Sequence, residues 1–361
     1  MMNAPRRAVF ATLGAALGSS LAAPAVLAQT LTPIRLTLPW LAQGATAYAY
    51  VAREMGSFRN RGIEASVTRG FGSNAAAQAI AQNQFEFGLV GASSVILNAA
   101  RGLPLVGLAT VNYDMTMGIL LRQDSPIRTP KDLEGRRLAI VPAGVDAPFI
   151  PAYLRLAGVD ASRITMQQVD NRVFERTIID RQVDAGSGIG SSSIPVMMAQ
   201  NAPHRLMLFS SVGLQFYANV ITTRPEILQR SPDLCERVVD ALLEAAAFQL
   251  REPDRALDML IRQVPEIGIT AGGRDNARLS QGIMQSTMLQ PEAMENGLGW
   301  TDFTRWSRMT DLVMEFGGAE GGRRPETEVL ISNRFAGKVK LSAAEWGDVR
   351  GKLAPFASLL G

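Results

Sequence analysis

Small polar residues recur where the apolar runs of this chain end, and their types suit holding a ligand by hydrogen bonds better than breaking one. Ser73 and Asn74 follow the turn Arg69-Gly70-Phe71-Gly72, where glycines let a ligand approach the backbone and a helix start offers N–H groups to an anion or a carbonyl. A helix N-cap needs the same two residues, so capping explains them equally well. Ser93 and Ser94 close the run Phe87-Gly88-Leu89-Val90-Gly91-Ala92, where a serine either meets a ligand or bonds to backbone. Trp40 can stack on a planar ligand or pack on the surface, and Tyr48 points either into a cleft or into a core with Val51 and Met55. Further along, Gly144, Val145 and Asp146 open a predicted helix, and Asp146 either complements its dipole or accepts a ligand N–H. Asn171, Gly188 and Ser191 are expected on the same wall. Asn112, Tyr113 and Asn219 fall at long connections, where ordinary loop polarity is the competing explanation.

Catalytic constellations are harder to assemble. His204 is the single histidine, and Asn201-Ala202-Pro203 before it reads as surface loop rather than the setting of a general base. No Gly-x-Ser-x-Gly elbow occurs, and Gly186-Ser187-Gly188 is shorter and has no evident partner. With one histidine and one cysteine, Cys235, neither a metal site nor an intramolecular disulfide is expected, and no cofactor is implied.

The elements that would position these residues alternate strand and helix. Ile34, Leu36 and Leu38 alternate with polar residues as a half-buried strand; Tyr48, Val51, Ala52 and Met55 make a helical stripe that ends at Gly56. A strand near Glu64–Thr68, a helix from Asn74, a strand at Phe85–Val90 and an apolar run at Leu105–Val111 complete one α/β unit with a largely parallel sheet. After Ser125-Pro126 the pattern restarts: a strand at Leu138–Val141, a helical face at Phe149, Tyr153 and Leu156, a strand at Thr165–Val169, a helix at Arg172–Arg181 and a strand at Val183–Ser187. Gln84, Glu86, Gly88, Ser93 and Ser94 match Gln182, Asp184, Gly186, Ser191 and Ser192 at an offset of 98 residues, which suggests two similar lobes. Tyr217–Thr223 reads as a returning strand, Pro232 to about Pro265 as helix, and the remainder as mainly helical.

The 361 residues are 47% hydrophobic and 19% charged, an ordinary globular composition. Arg6-Arg7 precede an uncharged run from Ala8 to Ala28, so residues 1–28 are expected to be a cleaved signal peptide, with a retained anchor as the alternative. Val9 and Phe10 after the arginines partly match a twin-arginine signal, and general secretion stays open. Two of the three net positive charges belong to that segment, which leaves no electrostatic case for nucleic acid.

The order of features resembles the periplasmic substrate-binding proteins of ABC importers, in the branch that handles nitrate, sulfonates, taurine and thiamine-precursor pyrimidines. The residues that carry it are Leu38-Pro39-Trp40, Glu54-Met55-Gly56-Ser57-Phe58-Arg59-Asn60-Arg61-Gly62-Ile63, Gly72-Ser73, Asn83-Gln84-Phe85-Glu86-Phe87-Gly88, Ala100-Arg101-Gly102-Leu103-Pro104, Ile127 through Gly135, Gln182-Val183-Asp184-Ala185 and Gly299-Trp300-Thr301-Asp302 with Trp306. The resemblance implies a two-lobed α/β clamp, each lobe a mostly parallel sheet flanked by helices. Two crossing segments, near Asn112–Gly118 and Leu214–Thr222, join the lobes. It places lobe 1 at residues 31–115 and 220–361 and lobe 2 at 116–219. It also implies a monomer in the periplasm that delivers a small molecule to membrane permease subunits. Trp40, Tyr48 and Tyr113 favour a pyrimidine or other small aromatic, whereas helix N-termini and neutral donors would suit a sulfonate. Some proteins of this fold are pyrimidine-forming enzymes with a cysteine-rich segment and an active-site histidine, a pattern from which this chain departs. An enzyme of the same fold and an exported sensor subunit are the other readings.

Overall fold

Ten strands form two separate five-stranded sheets in the computed structural model, which describes residues 31–142, 144–319 and 321–360. The expected signal peptide lies outside the described residues. Sheet A has the order β2-β1-β3-β10-β4, built from β1 (Thr32–Thr37), β2 (Ile63–Thr68), β3 (Phe87–Gly91), β4 (Val106–Thr110) and β10 (Asn219–Thr223). Sheet B has the order β7-β6-β8-β5-β9, built from β5 (Met117–Arg122), β6 (Arg137–Ile140), β7 (Thr165–Gln168), β8 (Ala185–Ile189) and β9 (His204–Leu208). β3 lies inside sheet A and is buried at every residue instead of alternating; β4 ends the sheet but is equally buried, because the C-terminal segment bridges it at Ile331 and Gly299.

The pairing directions decide where a site can be. In sheet A, β2, β1 and β3 run parallel, and β10 runs against both β3 and β4, so the C-terminal ends of β1 to β4 share one edge with the start of β10. In sheet B, β7, β6 and β8 run parallel and β5 runs against β8, with Met117 opposite Ile189, so the start of β5 lies at the C-terminal edge of β6 and β8. The chain leaves sheet A after Thr110 and enters sheet B at Met117; it leaves sheet B after Leu208 and re-enters sheet A at Asn219. Both crossings therefore join the C-terminal edges, and those edges face each other across them. In open α/β sheets that edge is where ligands bind.

The faint repeat in the sequence is a repeat in space. Glu86 Oε2 accepts the Arg35 N–H at 2.7 Å while the Arg35 guanidinium grips the same carboxylate and donates to Asn83 O. Asp184 Oδ2 accepts the Arg137 N–H at 2.8 Å, and the Arg137 guanidinium likewise reaches the carboxylate and Arg181 O. Asn83 and Arg181 even share the left-handed backbone, with φ of 64° and 60°. Each device pins two neighbouring parallel strands, β1 to β3 and β6 to β8, which are the second and third across their sheets, at the edge away from the crossings. The Arg35–Glu86 pair is half exposed, so a double-mutant cycle in urea unfolding is expected to return a small favourable coupling that shrinks with added salt; a coupling of zero would remove its structural role.

Several boundaries differ from the sequence reading. Pro253 splits the expected long helix into Pro232–Arg251 and Pro253–Gln263, because a proline removes the N–H that would have continued it. The helix expected at Arg172–Arg181 is Phe174–Ile179. His204 is not on a surface loop: it begins β9, and its Nε2 lies 3.3 Å from Leu359 O. Helix Gly273–Ser286 takes part in both cores: Ala277 and Met284 join the large one, while Ile283 packs in the smaller one with Leu120 and Ala139 of sheet B and Ile194 of helix Gly190–Ala199. Among the described residues, no helix is long and apolar enough to cross a membrane.

Candidate functional site

The first wall of the site stands on the C-terminal edge of sheet A. Gly91 ends β3 and caps helix Ala92–Ala100, so Ser93 and Ser94 do not end a strand as the sequence suggests; they occupy the first helical turn, 4% and 0% exposed. Among the described residues neither hydroxyl has a hydrogen-bond partner, and each sits at a helix start, where amides are left open. Tyr48 is also buried, and its hydroxyl lies against the Asn219 side chain without a well-formed hydrogen bond. Burial pushes that phenol up, which keeps it a neutral donor and acceptor. Asn219 sits opposite Gly91 in the β10–β3 ladder and donates to Asn112 Oδ1 at 3.0 Å; Asn112 Nδ2 donates to Met284 O at 3.0 Å. Tyr48, Ser93, Asn112 and Asn219 thus belong to one polar patch in an otherwise apolar core.

Ser73 has a different role from the capping expected of it. Gly72 is the N-cap of helix Ser73–Ala81, and Ser73 Oγ accepts the Gly91 N–H at 2.6 Å, tying the loop after β2 to the end of β3. Asn74 follows, half-buried. Trp40, half-buried too, is held through its backbone: Gly70 N donates to Trp40 O at 2.9 Å and Gly72 N to Pro39 O at 3.0 Å. A Cβ at Gly70 would stand 2.0 Å from Leu38 O, so only glycine permits this junction of the two loops.

The facing wall belongs to sheet B. Gly144, Val145 and Asp146 lie in the loop after β6, before a short 3-10 turn at Ala147–Phe149, so they do not open the helix directly. Asp146 is 2% exposed, and its only hydrogen-bond donor among the described side chains is the Ser187 hydroxyl, 2.5 Å from Oδ2. Burial holds its carboxyl above the usual range, with Ser187 pulling the other way and no cation near. Glu175, in the first turn of helix Phe174–Ile179, lies against the Ser193 hydroxyl and is raised by burial in the same manner. Glu175 is not among the residues that the sequence singles out. Its signal was the neighbouring Gly188, whose missing side chain leaves room for Phe174 and Ser193. Gly188 ends the buried part of β8, Ser191 lies in the first turn of helix Gly190–Ala199, and Asn171 is exposed on the loop after β7.

The crossings frame both walls. Thr116 O accepts the Gly190 N–H at 2.8 Å and Thr116 Oγ1 the Ser191 N–H at 3.2 Å. Thr116 itself is in the left-handed region at φ 54°, held there by Asp114 Oδ1, which accepts its N–H at 2.7 Å. Tyr113 and Tyr217, one on each crossing, meet edge to face with ring centres 5.8 Å apart. Their hydroxyls donate to Trp300 O and Glu292 Oε1, and the Arg305 guanidinium lies over the Tyr217 ring. Tyr113 is fully buried, with its hydroxyl committed to the C-terminal segment.

This arrangement offers neutral donors on one wall and carboxyls without cations on the other. Among the described residues no group of His, Cys, Asp and Glu could hold a metal ion.

Residues 44–256 match the family described as NMT1/THI5 like. The riboflavin-binding protein RibY of Chloroflexus aurantiacus is 24% identical over 306 residues, covering 82% of this chain and 84% of that protein. The formylaminopyrimidine-binding protein of Halalkalibacterium halodurans is 22% identical, covering 77% and 87%. The 4-amino-5-hydroxymethyl-2-methylpyrimidine phosphate synthase of Legionella pneumophila is 19% identical, covering 65% and 74%. Among solved structures, the periplasmic aliphatic sulphonate binding protein SsuA of Escherichia coli superposes with a TM-score of 0.65 at 15% identity, covering 84% of this chain and 98% of that one, a likeness of fold.

Proposed function

Because the chain belongs to the NMT1/THI5-like family, whose match spans more than half of it, we propose that it is an exported solute-binding clamp. Its two lobes close by hinge motion on a small planar ligand and present it to the permease of an ABC importer. The observation that carries the reading is the meeting of two strand-end edges over the crossings, one bearing unpartnered buried hydroxyls and the other carboxyls. A buried hydroxyl without a partner costs about 1–3 kcal/mol, a cost that a ligand's polar atoms would relieve on closure. The ligand sites proposed are Tyr48, Ser93, Ser94 and Asn219 on one lobe and Asp146, Glu175 and Ser187 on the other, with Trp40 at the rim.

Ligand chemistry follows from the charges. A sulfonate or nitrate needs cations or several free N–H groups, and a wall with two carboxyls would repel it. A nitrogen heterocycle with ring or amino N–H groups matches those acceptors, and the relatives named for riboflavin and for formylaminopyrimidine support that class. The synthase among the relatives keeps turnover as the second reading. The test is thermal unfolding of the mature chain with riboflavin, aminopyrimidines, ethanesulfonate, taurine and nitrate. A heterocycle at about a hundred times its Kd should stabilise the protein by roughly 2.7 kcal/mol. Stabilisation by the sulfonate or nitrate alone would overturn the ligand class, and release of a new product from a bound heterocycle would favour the enzyme.

A further inference from the structure

Among the described residues, Phe71 is the one aromatic side chain that stands exposed. It is 75% exposed, between Gly70 and Gly72, on the loop that leaves β2. Strands β2 and β7 stand at the ends of their sheets remote from the crossing strands, so the loops after them form the mouth of the clamp. The loop after β2 brings Phe71, and the adjoining loop after β1 brings Trp40 and Leu41, which is 41% exposed. On the opposite jaw the loop after β7 brings Val173, 46% exposed. Exposed apolar side chains therefore stand at the rim of a polar interior, Phe71 the most exposed of them, interspersed with the exposed Arg69 and Arg172.

The backbone around Phe71 is built unevenly. Gly70 is fixed against Leu38 and Trp40, whereas Gly72 has φ 124° and ψ 144°, a conformation essentially reserved for glycine, with no atom within 4 Å of where a Cβ would stand. Both glycines are nevertheless held through their backbones, Gly70 N donating to Trp40 O at 2.9 Å and Gly72 N to Pro39 O at 3.0 Å, so the turn presents Phe71 on a fixed backbone with only its side chain free to swing. The Arg69 guanidinium lies 4.5 Å from the Phe71 ring centre and covers one face of the ring.

Resting on the clamp reading above, we infer that Phe71 is a lid: on closure its exposed ring swings about its own side-chain bonds onto the outward face of a planar ligand whose polar edge points inward to the hydroxyls and carboxyls. The site then prefers flat ligands that reach the mouth over compact ions that do not. The experiment compares the mature chain with Phe71→Ala and Phe71→Leu, using riboflavin and 4-aminopyrimidine as probes and fluorescence and calorimetry as readouts. Phe71→Ala is expected to weaken binding of the flat probe that binds by roughly 5- to 20-fold, with Phe71→Leu between. The unliganded melting temperature should stay the same, since an exposed ring carries little folding stability. Equal affinity in wild type and Phe71→Ala overturns the lid and leaves the clamp intact. A fall in unliganded stability assigns Phe71 to the fold and also overturns the lid. If neither flat probe binds the wild type, the lid and the proposed ligand class fall together.

Discussion

Gly44→Ala is expected to destabilise the protein by about 3 kcal/mol, at the upper end of what overpacking costs. A Cβ there would stand 1.8 Å from Ala277 O and 2.7 Å from the Gln281 backbone nitrogen, so it would collide with a helix backbone and not with a side chain that can turn away. Neither partner can retreat freely. The Gly44 turn is held by Gln249 Nε2 to Gly44 O at 3.3 Å and by the Ala45 N–H to Ser280 Oγ at 3.3 Å. Helix Gly273–Ser286 is held by Gln281 Nε2 to Pro253 O at 2.9 Å and Gln285 Nε2 to Gln249 O at 2.7 Å. Displacing that helix would also strain the bond from Asn112 to Met284, so ligand binding should weaken along with stability. Urea unfolding measures the first effect, and a midpoint equal to wild type would show that the helix is not seated as described.

The second large effect separates stability from function. Asp146→Asn is expected to stabilise the unliganded protein by about 1–2 kcal/mol at neutral pH and to weaken ligand binding by roughly 10- to 100-fold. The sign follows from burial. With the folded carboxyl raised above its unfolded value, the unfolded chain gives up its proton first as pH rises, so stability falls from the ordinary carboxylate range up to the raised one. Asparagine removes that loss, and the gain should therefore vanish at pH values below the ordinary carboxylate range. Ser187 donates equally well to an amide oxygen, so the fold is preserved. Denaturant melts across pH, with calorimetry at neutral pH, check both halves; a less stable variant that binds normally would make Asp146 a structural group.

The two lobes were legible because periodicity reports burial. Ile34, Leu36 and Leu38 alternate where one face is covered, and the echo of Glu86 in Asp184 marks an arginine pin that the sheet uses twice. The site was less legible because spacing does not say which way a hydroxyl faces. Ser73 reads as helix-start polarity and Ser93 as a strand end, yet both stand in first helical turns, one spent on Gly91 and the other without a partner among the described residues. Glu175 and Asp146 look alike as acids beside helix starts, and what distinguishes them from the solvated acids is burial among residues distant in sequence. The placement of helix Gly273–Ser286 between the sheets had no local signature, since its polar residues Ser280, Gln281 and Gln285 face backbone and not water.

The strand orders bear on how the chain can be made. Sheet B uses strands from one continuous segment, Met117 to Leu208, and can pair fully as soon as that segment is available. Sheet A cannot, because β10 lies between β3 and β4 and is synthesised after the whole of sheet B. Until Thr223 has left the ribosome, β3 and β4 each present a bare edge of unpaired backbone N–H and C=O groups, on strands that end up fully buried. At ordinary elongation rates of about 5–20 residues per second that interval lasts several seconds, long enough for a wrong strand to pair or a chaperone to bind. The half of the molecule made first is thus the half completed last, and a chain cut between β9 and β10 should leave sheet B folded and sheet A open.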